Sequence, residues 1–316
     1  MPGRDVDPSP AISVPTSSPL VSVVIPTIRG GRLLNEAVGS VLAQGVESLE
    51  IVVVLNRDGI DLSMLPETAR LVFVREPVPV KAIALNRGLL TARGKWVAFL
   101  DDDDVWFDGK LEKQLDALSG WSGSPACTTN FAVIDVTSSI VDLGHNAPVT
   151  YRSLLQGKIE FLFSSLLVDR ELMLQHGLVN GSYTRADDYE CLLRIARAGP
   201  LAYVPEALVG YRKHGGNTSN GDYERFRLEA LRALADNRRL AHIDNDWASM
   251  ATSLRGTLSM RRFWAWSTLG QAHEAFERGD ARQAAAHLAL AVRSFPPVVL
   301  ERLLGPEPIR VTRKST

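Results

Sequence analysis

Four consecutive carboxylates, Asp101, Asp102, Asp103 and Asp104, follow the apolar run of residues 96–100 without a spacer. Adjacent carboxylates repel one another, and partial burial raises their pKa values further. A divalent cation relieves that repulsion. Hard oxygen donors suit Mg²⁺ or Mn²⁺, ions that keep waters and share their sites with substrate phosphates. A second acidic group, Asp187-Asp188-Tyr189-Glu190, precedes an apolar stretch with helical spacing. Asp187 and Glu190 have the spacing of a capping box. Asp188 beside them would be held at a helix start, where a carboxylate can take a proton from an attacking hydroxyl. A third polar stretch, residues 211–217, holds Arg212, Lys213 and His214 ahead of two glycines. His214 is a candidate metal ligand, and Arg212 or Lys213 could neutralise a leaving phosphate. Each group also has a plainer reading: an acidic surface turn with Asp104 capping the next helix, a simple cap at Asp187, and a solvated loop histidine.

These residues need elements to hold them at one edge. Residues 21–25, 50–55, 71–74 and 96–100 are short apolar runs of the kind that form buried strands of a parallel sheet. Between them, Leu33, Leu34, Ala37, Val38, Val41 and Leu42 recur at helical spacing, and a second helix is expected over residues 81–91. Alternating strands and helices predict an open α/β sheet flanked by helices, with ligands at the carboxyl ends of its strands. Asn86 and Arg87 would face those strand ends, whereas Lys81 and Arg93 read as surface polarity. Further on, a helix is expected after Asp108, strand-like segments at 126–136 and 157–168, and a helix at 189–198. Short extended pieces are expected at 201–204 and 208–211. From about residue 225 to 295 the spacing is helical throughout, enough for three or four helices.

The whole chain has 316 residues, 45% hydrophobic and 22% charged, with a net charge of −1. That composition is globular. Two cysteines, Cys127 and Cys191, exclude a disulfide framework or a multi-cysteine metal site and fit a reducing, cytoplasmic setting. Residues 1–224 carry 20 Lys and Arg against 27 Asp and Glu, and residues 225–316 carry 15 against 9. The acidic front argues against a nucleic-acid groove. The basic rear, with Arg238, Arg239, Arg261 and Arg262 beside Trp264 and Trp266, leaves peripheral membrane contact open, with a solvated helix face as the plainer reading. Residues 1–19, rich in Pro and Ser, read as a flexible leader. Residues 20–224 read as the sheet domain and 225–316 as a helical region. The sequence lacks the Gly-rich fingerprints G-x-G-x-x-G after the first strand and G-x-x-x-x-G-K-[ST], which disfavours a dinucleotide oxidoreductase or a P-loop enzyme.

Taken in order, VSVVIPT at 21–27, SVLAQ at 40–44, LEIVVV at 49–54, ALNRGLLTARGKWVAFLDDDDVW at 84–106, ADDYECLLR at 186–194 and VGYRKHGGNTS at 209–219 resemble glycosyltransferase family 2. The resemblance covers roughly residues 20–217. It implies a GT-A fold: an open, mostly parallel sheet flanked by helices, here with a C-terminal helical extension. It also implies an inverting transfer of a sugar from a nucleotide-diphospho-sugar to an acceptor hydroxyl, as a hexosyltransferase-like activity. By position, Pro26, Thr27 and Arg29 would line the nucleotide pocket. Asp101 would lie near the ribose or sugar, Asp102 would assist, and Asp103 would hold Mn²⁺ or Mg²⁺ with His214. Asp188 would be the base, and Ser164 and Ser165 would border the acceptor. Where the family carries an Asp pair after its second strand, this chain has Leu55 and Asn56. Asn56 could still read a base edge, so UDP is the first expectation, with GDP and dTDP open. The alternatives are a sugar-nucleotide-binding protein without turnover and a nucleotidyltransferase of the same fold.

Overall fold

A computed structural model describes residues 18–121, 123–144, 148–157, 161–215 and 222–297. The chain divides into two units, Met1–Thr150 with Glu160–Gly221, and Tyr151–Ile159 with Asp222–Thr316. The second unit begins close to the expected change of character, but it also takes a short segment from the middle of the chain. That segment's contacts are to sequence-distant helices, which local spacing does not report.

The first unit is built on a nine-stranded sheet. Strands β1 (Val21–Thr27), β2 (Leu49–Leu55), β3 (Leu71–Arg75) and β4 (Trp96–Phe99) stand in the order β3-β2-β1-β4 with parallel pairing. β1 and β2 are almost wholly buried, which is why they read as unbroken apolar runs rather than alternating ones. Helix α1 (Gly31–Leu42) lays Leu34, Ala37, Val38 and Val41 on this sheet. Helix α2 (Lys81–Thr91) approaches closely at Gly88, where a Cβ would meet Val24 Cγ1 at 2.3 Å. Glu50, inside β2, accepts from Ser22 Oγ at 2.6 Å and from the Arg93 backbone N–H at 2.7 Å. The Arg93 guanidinium grips its other oxygen through Nε at 3.0 Å and Nη2 at 2.7 Å. Arg93 is thus not a merely solvated side chain. It offsets the burial of a carboxylate that ties β1, β2 and the turn before β4 together.

Beyond β4 the sheet continues through β8 (Leu167–Asp169), β6 (Ala126–Ile134), β9 (Ala202–Arg212) and β5 (Val105–Trp106), with β7 (Ile140–Leu143) paired to β6. β6 and β9 run parallel; β4–β8, β6–β8, β6–β7 and β5–β9 are antiparallel. Two short pieces were expected where β9 is one strand of 11 residues. Pro205 interrupts its apolar pattern, and the β6–β9 register shifts on either side of Asn130. Residues 158–160 of the expected strand-like span 157–168 lie outside the described residues. Phe163–Ser165 forms a 3₁₀ turn, and only Leu167–Asp169 pairs in the sheet. Helices α3 (Lys110–Gly120), α5 (Arg170–Gln175) and α6 (Asp187–Ala198) complete the unit. Gly109 precedes α3 in a left-handed conformation, so Asp104 does not cap that helix.

The second unit holds α4 (Tyr151–Leu155), α7 (Tyr223–Ile243), α8 (Trp247–Glu277) and α9 (Ala281–Ser294). Asp222, Asp246 and Asp280 cap the last three, each accepting the backbone N–H three residues on. Leu155 lies so close to α8 that a Cβ on Gly256 would meet its carbonyl oxygen at 2.0 Å. Ala265 and Leu269 of α8 pack with Ala291 of α9, joined by Trp266 and Phe295. The expected leader lies outside the described residues except for Ser18 and Pro19.

Candidate active site

The chain leaves β4 in the middle of the sheet and reaches β5 at its far edge within five residues. The four aspartates are that crossing. Val105 pairs with Gly210, where any Cβ would meet Val105 Cγ2 at 2.9 Å, so the acidic turn lies against the end of β9. This placement gives each carboxylate a different environment. Asp101 is about one-third exposed and pairs with Lys81 Nζ at 2.6 Å. Asp102 accepts from Thr27 Oγ1 at 2.6 Å and from Arg29 Nη2 at 3.2 Å. Asp103 Oδ2 meets Arg29 Nη2 at 2.9 Å and His214 Nε2 at 3.0 Å. Asp104 is buried, accepting from Ser164 Oγ at 2.8 Å and from the Arg212 backbone N–H at 3.1 Å. Burial pushes the Asp104 carboxyl well up, with Asp101 and Asp103 adding to the effect. Burial likewise raises Asp102, against the pull of Thr27 and Arg29. Asp104 therefore braces the turn, Asp102 is buried beside Thr27, and Asp101 is the most exposed of the four.

Several residues expected to touch a ligand are instead spent on the protein. Arg212 is buried; its Nε donates to the Asp103 carbonyl at 2.9 Å and its Nη2 to Glu36 at 2.8 Å. Its Nη1 donates to Ser138 Oγ at 3.0 Å and to the Asp135 carbonyl. Arg212 thus fixes the backbone of the acidic turn from behind. The Asn56 amide donates to the carbonyls of Glu76 and Val78, and its backbone N–H to Thr27 O. Asn86 clamps the Val179 backbone at both ends, each bond 2.8 Å. Arg87 lies on the exposed side of α2. Ser164 and Ser165 are buried, and Ser164 organises the aspartates instead of bordering open space. Thr27 bonds Asp102 and accepts the N–H groups of Arg29 and Gly30, so it shapes the loop that carries Arg29. Pro26 is half-buried within β1, paired to Val54.

The second acidic group opens α6, but not as a capping box. Ala186 is the cap residue, and Asp187 and Asp188 are the first two helical residues. Asp188 accepts the Tyr189 N–H at 2.7 Å. Burial, and then Asp187 next to it, push the Asp188 carboxyl up to about 7, while the Tyr189 N–H and Lys81 pull it down. Asp187 is also raised by burial and lowered by Lys81. Lys81 thus bonds Asp101 directly and acts on Asp187 and Asp188 as well, and its own ammonium is held above the usual range. The plainer reading of Lys81, a solvated side chain on the helix surface, does not describe it. Its place in the first turn of α2, just after β3, was the available signal, since that turn sits at the ligand edge of the sheet.

A cleft of about 650 Å³ is lined by Ile28, Asn56, Arg57, Asp58, Pro77 and Pro79. It lies where the β1 and β2 strands end, as ligand crevices in open α/β sheets do. Among the described residues, no helix is long and apolar enough to cross a membrane, and no cluster of three or more His, Cys, Asp or Glu is gathered for a metal ion.

Comparison with known proteins agrees with this architecture. Residues 22–141 match the family model described as Glycosyl transferase family 2. The chain is an enzyme that transfers sugars. An uncharacterized glycosyltransferase of Rickettsia prowazekii is 26% identical over 212 residues, covering 64% of this chain and 67% of the relative. A putative teichuronic acid biosynthesis glycosyltransferase of Bacillus subtilis is 29% identical over 217 residues, covering 65% of this chain and 84% of the relative. Among solved structures, S. aureus TarS residues 1–349 with UDP-GlcNAc superposes with a TM-score of 0.55 at 14% identity, covering 85% of this chain and 90% of that one. A Pyrobaculum calidifontis mannosyltransferase with GDP-Man and Mn²⁺ gives a TM-score of 0.50 at 17% identity, covering 93% and 89%. At such identities the structural likeness is one of fold, the GT-A fold.

Proposed function

We propose that this enzyme moves a sugar from a nucleotide-diphospho-sugar to an acceptor hydroxyl in a single inverting displacement, with Asp188 as the general base. The observation that carries this reading is Lys81. It bonds Asp101 and lies within electrostatic reach of Asp187 and Asp188, so two acidic groups more than eighty residues apart in sequence share one site. Asp188, raised to about 7, is poised to accept a hydroxyl proton near neutral pH. The cleft beside Asn56 takes the nucleotide base. UDP is the first candidate and GDP or dTDP the others; the structural neighbours hold UDP-GlcNAc and GDP-Man. With the Asn56 amide turned to the backbone, Arg57 and Asp58 supply the polar edge of that cleft. Arg29 stands at the carboxylates where the diphosphate would lie.

Asp103 and His214 fit a divalent cation: a carboxylate oxygen and an imidazole nitrogen converge 3.0 Å apart, within an acidic turn that already draws in two cationic side chains. Two protein donors leave the remaining positions to diphosphate and water, as Mn²⁺ and Mg²⁺ prefer. When bound, the ion would offset charge developing on the leaving diphosphate. Asp188 faces the acceptor, Asp101 is held by Lys81 for the ribose or sugar, and Arg212 keeps Asp103 in place through its backbone. The two buried thiols, Cys127 and Cys191, fit a reducing compartment, and we place the enzyme in the cytoplasm.

Asp188→Asn tests the assignment. Sugar transfer should fall by about 10²- to 10⁴-fold while UDP binding by calorimetry stays near that of the parent. Full transfer by this variant would remove Asp188 from the role. Pyrophosphate release from a nucleoside triphosphate and a sugar phosphate would instead identify a nucleotidyltransferase.

A further inference from the structure

The second unit carries an apolar stripe that the transfer reaction does not use. Trp247, Leu254, Leu258, Ala265, Leu269 and Ala272 lie within about 30° of one line along α8, at 100° per residue. The stripe has two halves. From Ala265 onward it is buried, with Ala265 and Leu269 packed in the cluster that includes Ala291 of α9. From Trp247 to Leu258 it is bare: Trp247 is 64% exposed, Leu254 51% and Leu258 47%. Ile243, at the end of α7 and next to the exposed Asp244, is 72% exposed. Trp264 and Trp266, which the sequence suggested for such a surface, are half-buried and pack against Phe226 and within the α9 cluster. Among the described residues of this unit, Trp247 is the tryptophan that faces out.

Charge decides what such a face fits. Between Trp247 and Ala272 there is no acidic residue, whereas Arg255, Arg261 and Arg262 flank the bare half and are all exposed. Arg239 on α7 is exposed too, and Arg238 reaches α8 by donating to Thr257 Oγ1 at 3.3 Å. A second copy docked on this face about a two-fold axis would bring these arginines toward their own counterparts. An anionic surface meets them with opposite charge. An outward tryptophan and leucines between arginines is the arrangement of a helix that lies in a membrane interface.

We propose that the bare half of α8, with the end of α7, is a docking surface for anionic phospholipid membrane. The helix lies in the interface plane, its leucines and Trp247 entering the headgroup boundary and its arginines meeting the lipid phosphates.

Vesicle flotation with the full chain tests it. Neutral phosphatidylcholine vesicles are compared with vesicles holding about 30% phosphatidylglycerol, at low and high salt. The protein should float with the anionic vesicles about tenfold more than with neutral ones, and high salt should reduce that binding. Two variants separate the contributions: Leu254→Ser with Leu258→Ser, and Arg255→Gln with Arg261→Gln. Both alter exposed side chains, so parental circular dichroism and melting are expected. Each should lower flotation at least several-fold. Flotation unchanged in both variants would overturn the proposal. So would a monomeric protein that ignores anionic vesicles. A dimer in solution that Leu254→Ser with Leu258→Ser converts to monomer would assign the face to a second copy and overturn it equally.

Discussion

Lys81 concentrates the electrostatics of the site in one side chain. It lowers the Asp188 carboxyl against burial and against Asp187, both of which raise it. A base works in its ionised form, so transfer should increase with pH through about 7. In Lys81→Met that lowering influence is gone, and the acid limb of the pH–rate profile should move to higher pH. Lys81→Arg should restore much of the parental profile. An unmoved limb in Lys81→Met would mean that Lys81 only orients Asp101. Asp103→Ala should abolish the Mn²⁺ dependence of UDP binding in calorimetry and leave Asp188 intact. Arg212 differs from both, because its guanidinium contacts protein groups from behind the aspartates. Arg212→Lys cannot reproduce a fork shared among Glu36, Ser138 and two carbonyls. The variant is expected to lose thermal stability along with activity.

Helix α2 and helix α3 show how elements set this geometry. Gly88 lets α2 sit directly on β1, which brings Lys81 to the strand ends. Gly88→Ala forces a Cβ to within 2.3 Å of Val24 and should cost about 1–3 kcal/mol, read as a lower melting temperature. Helix α3 buries Lys110, whose Nζ donates to Gln114 at 2.8 Å and lies 3.9 Å from the centre of the Trp106 ring. Burial pushes the Lys110 amine down to about 7. A base whose pKa falls on folding binds fewer protons folded than unfolded, so its cost is greatest at low pH and fades as pH rises above its folded value. Lys110→Met removes that cost. Its melting temperature relative to the parent should be more favourable at pH 6 than at pH 9. The same difference at both values would show that Lys110 stays charged in the fold.

For the molecule as a whole, the acidic site is a source of instability that ligands relieve. Asp187 and Asp188 are both raised in the fold. A carboxyl raised on folding contributes stability that is full below its unfolded pKa and is lost as pH rises through the folded value. For Asp188 that window runs from about 4 to about 7. The ligand-free protein should therefore lose stability across this window, and Asp188→Asn should flatten the decline. Melting curves between pH 5 and pH 7.5 check both. A parental slope in Asp188→Asn would mean that the decline arises elsewhere.

Local sequence was enough for the elements that bury apolar residues in a regular pattern. The runs that became β1, β2 and β4 and the periodic faces of α1 and α6 were legible because hydrophobic burial acts residue by residue along one segment. The acidic turn and the acidic start of α6 stood out in the sequence for a related reason, since carboxylates packed at a strand end or a helix start are unusual wherever they occur. The partners of polar groups were not legible. Arg212 meets Glu36 across 176 positions, and Asn86 meets Val179 across 93. Asn56 turns its amide to carbonyls 20 and 22 residues ahead. A buried donor takes whichever acceptor the fold brings within about 3 Å. That choice belongs to tertiary packing alone. For the same reason, only the structure separated the residues that hold the acidic turn, Arg212 and Ser164, from those left facing outward, Lys81, Arg29 and Trp247.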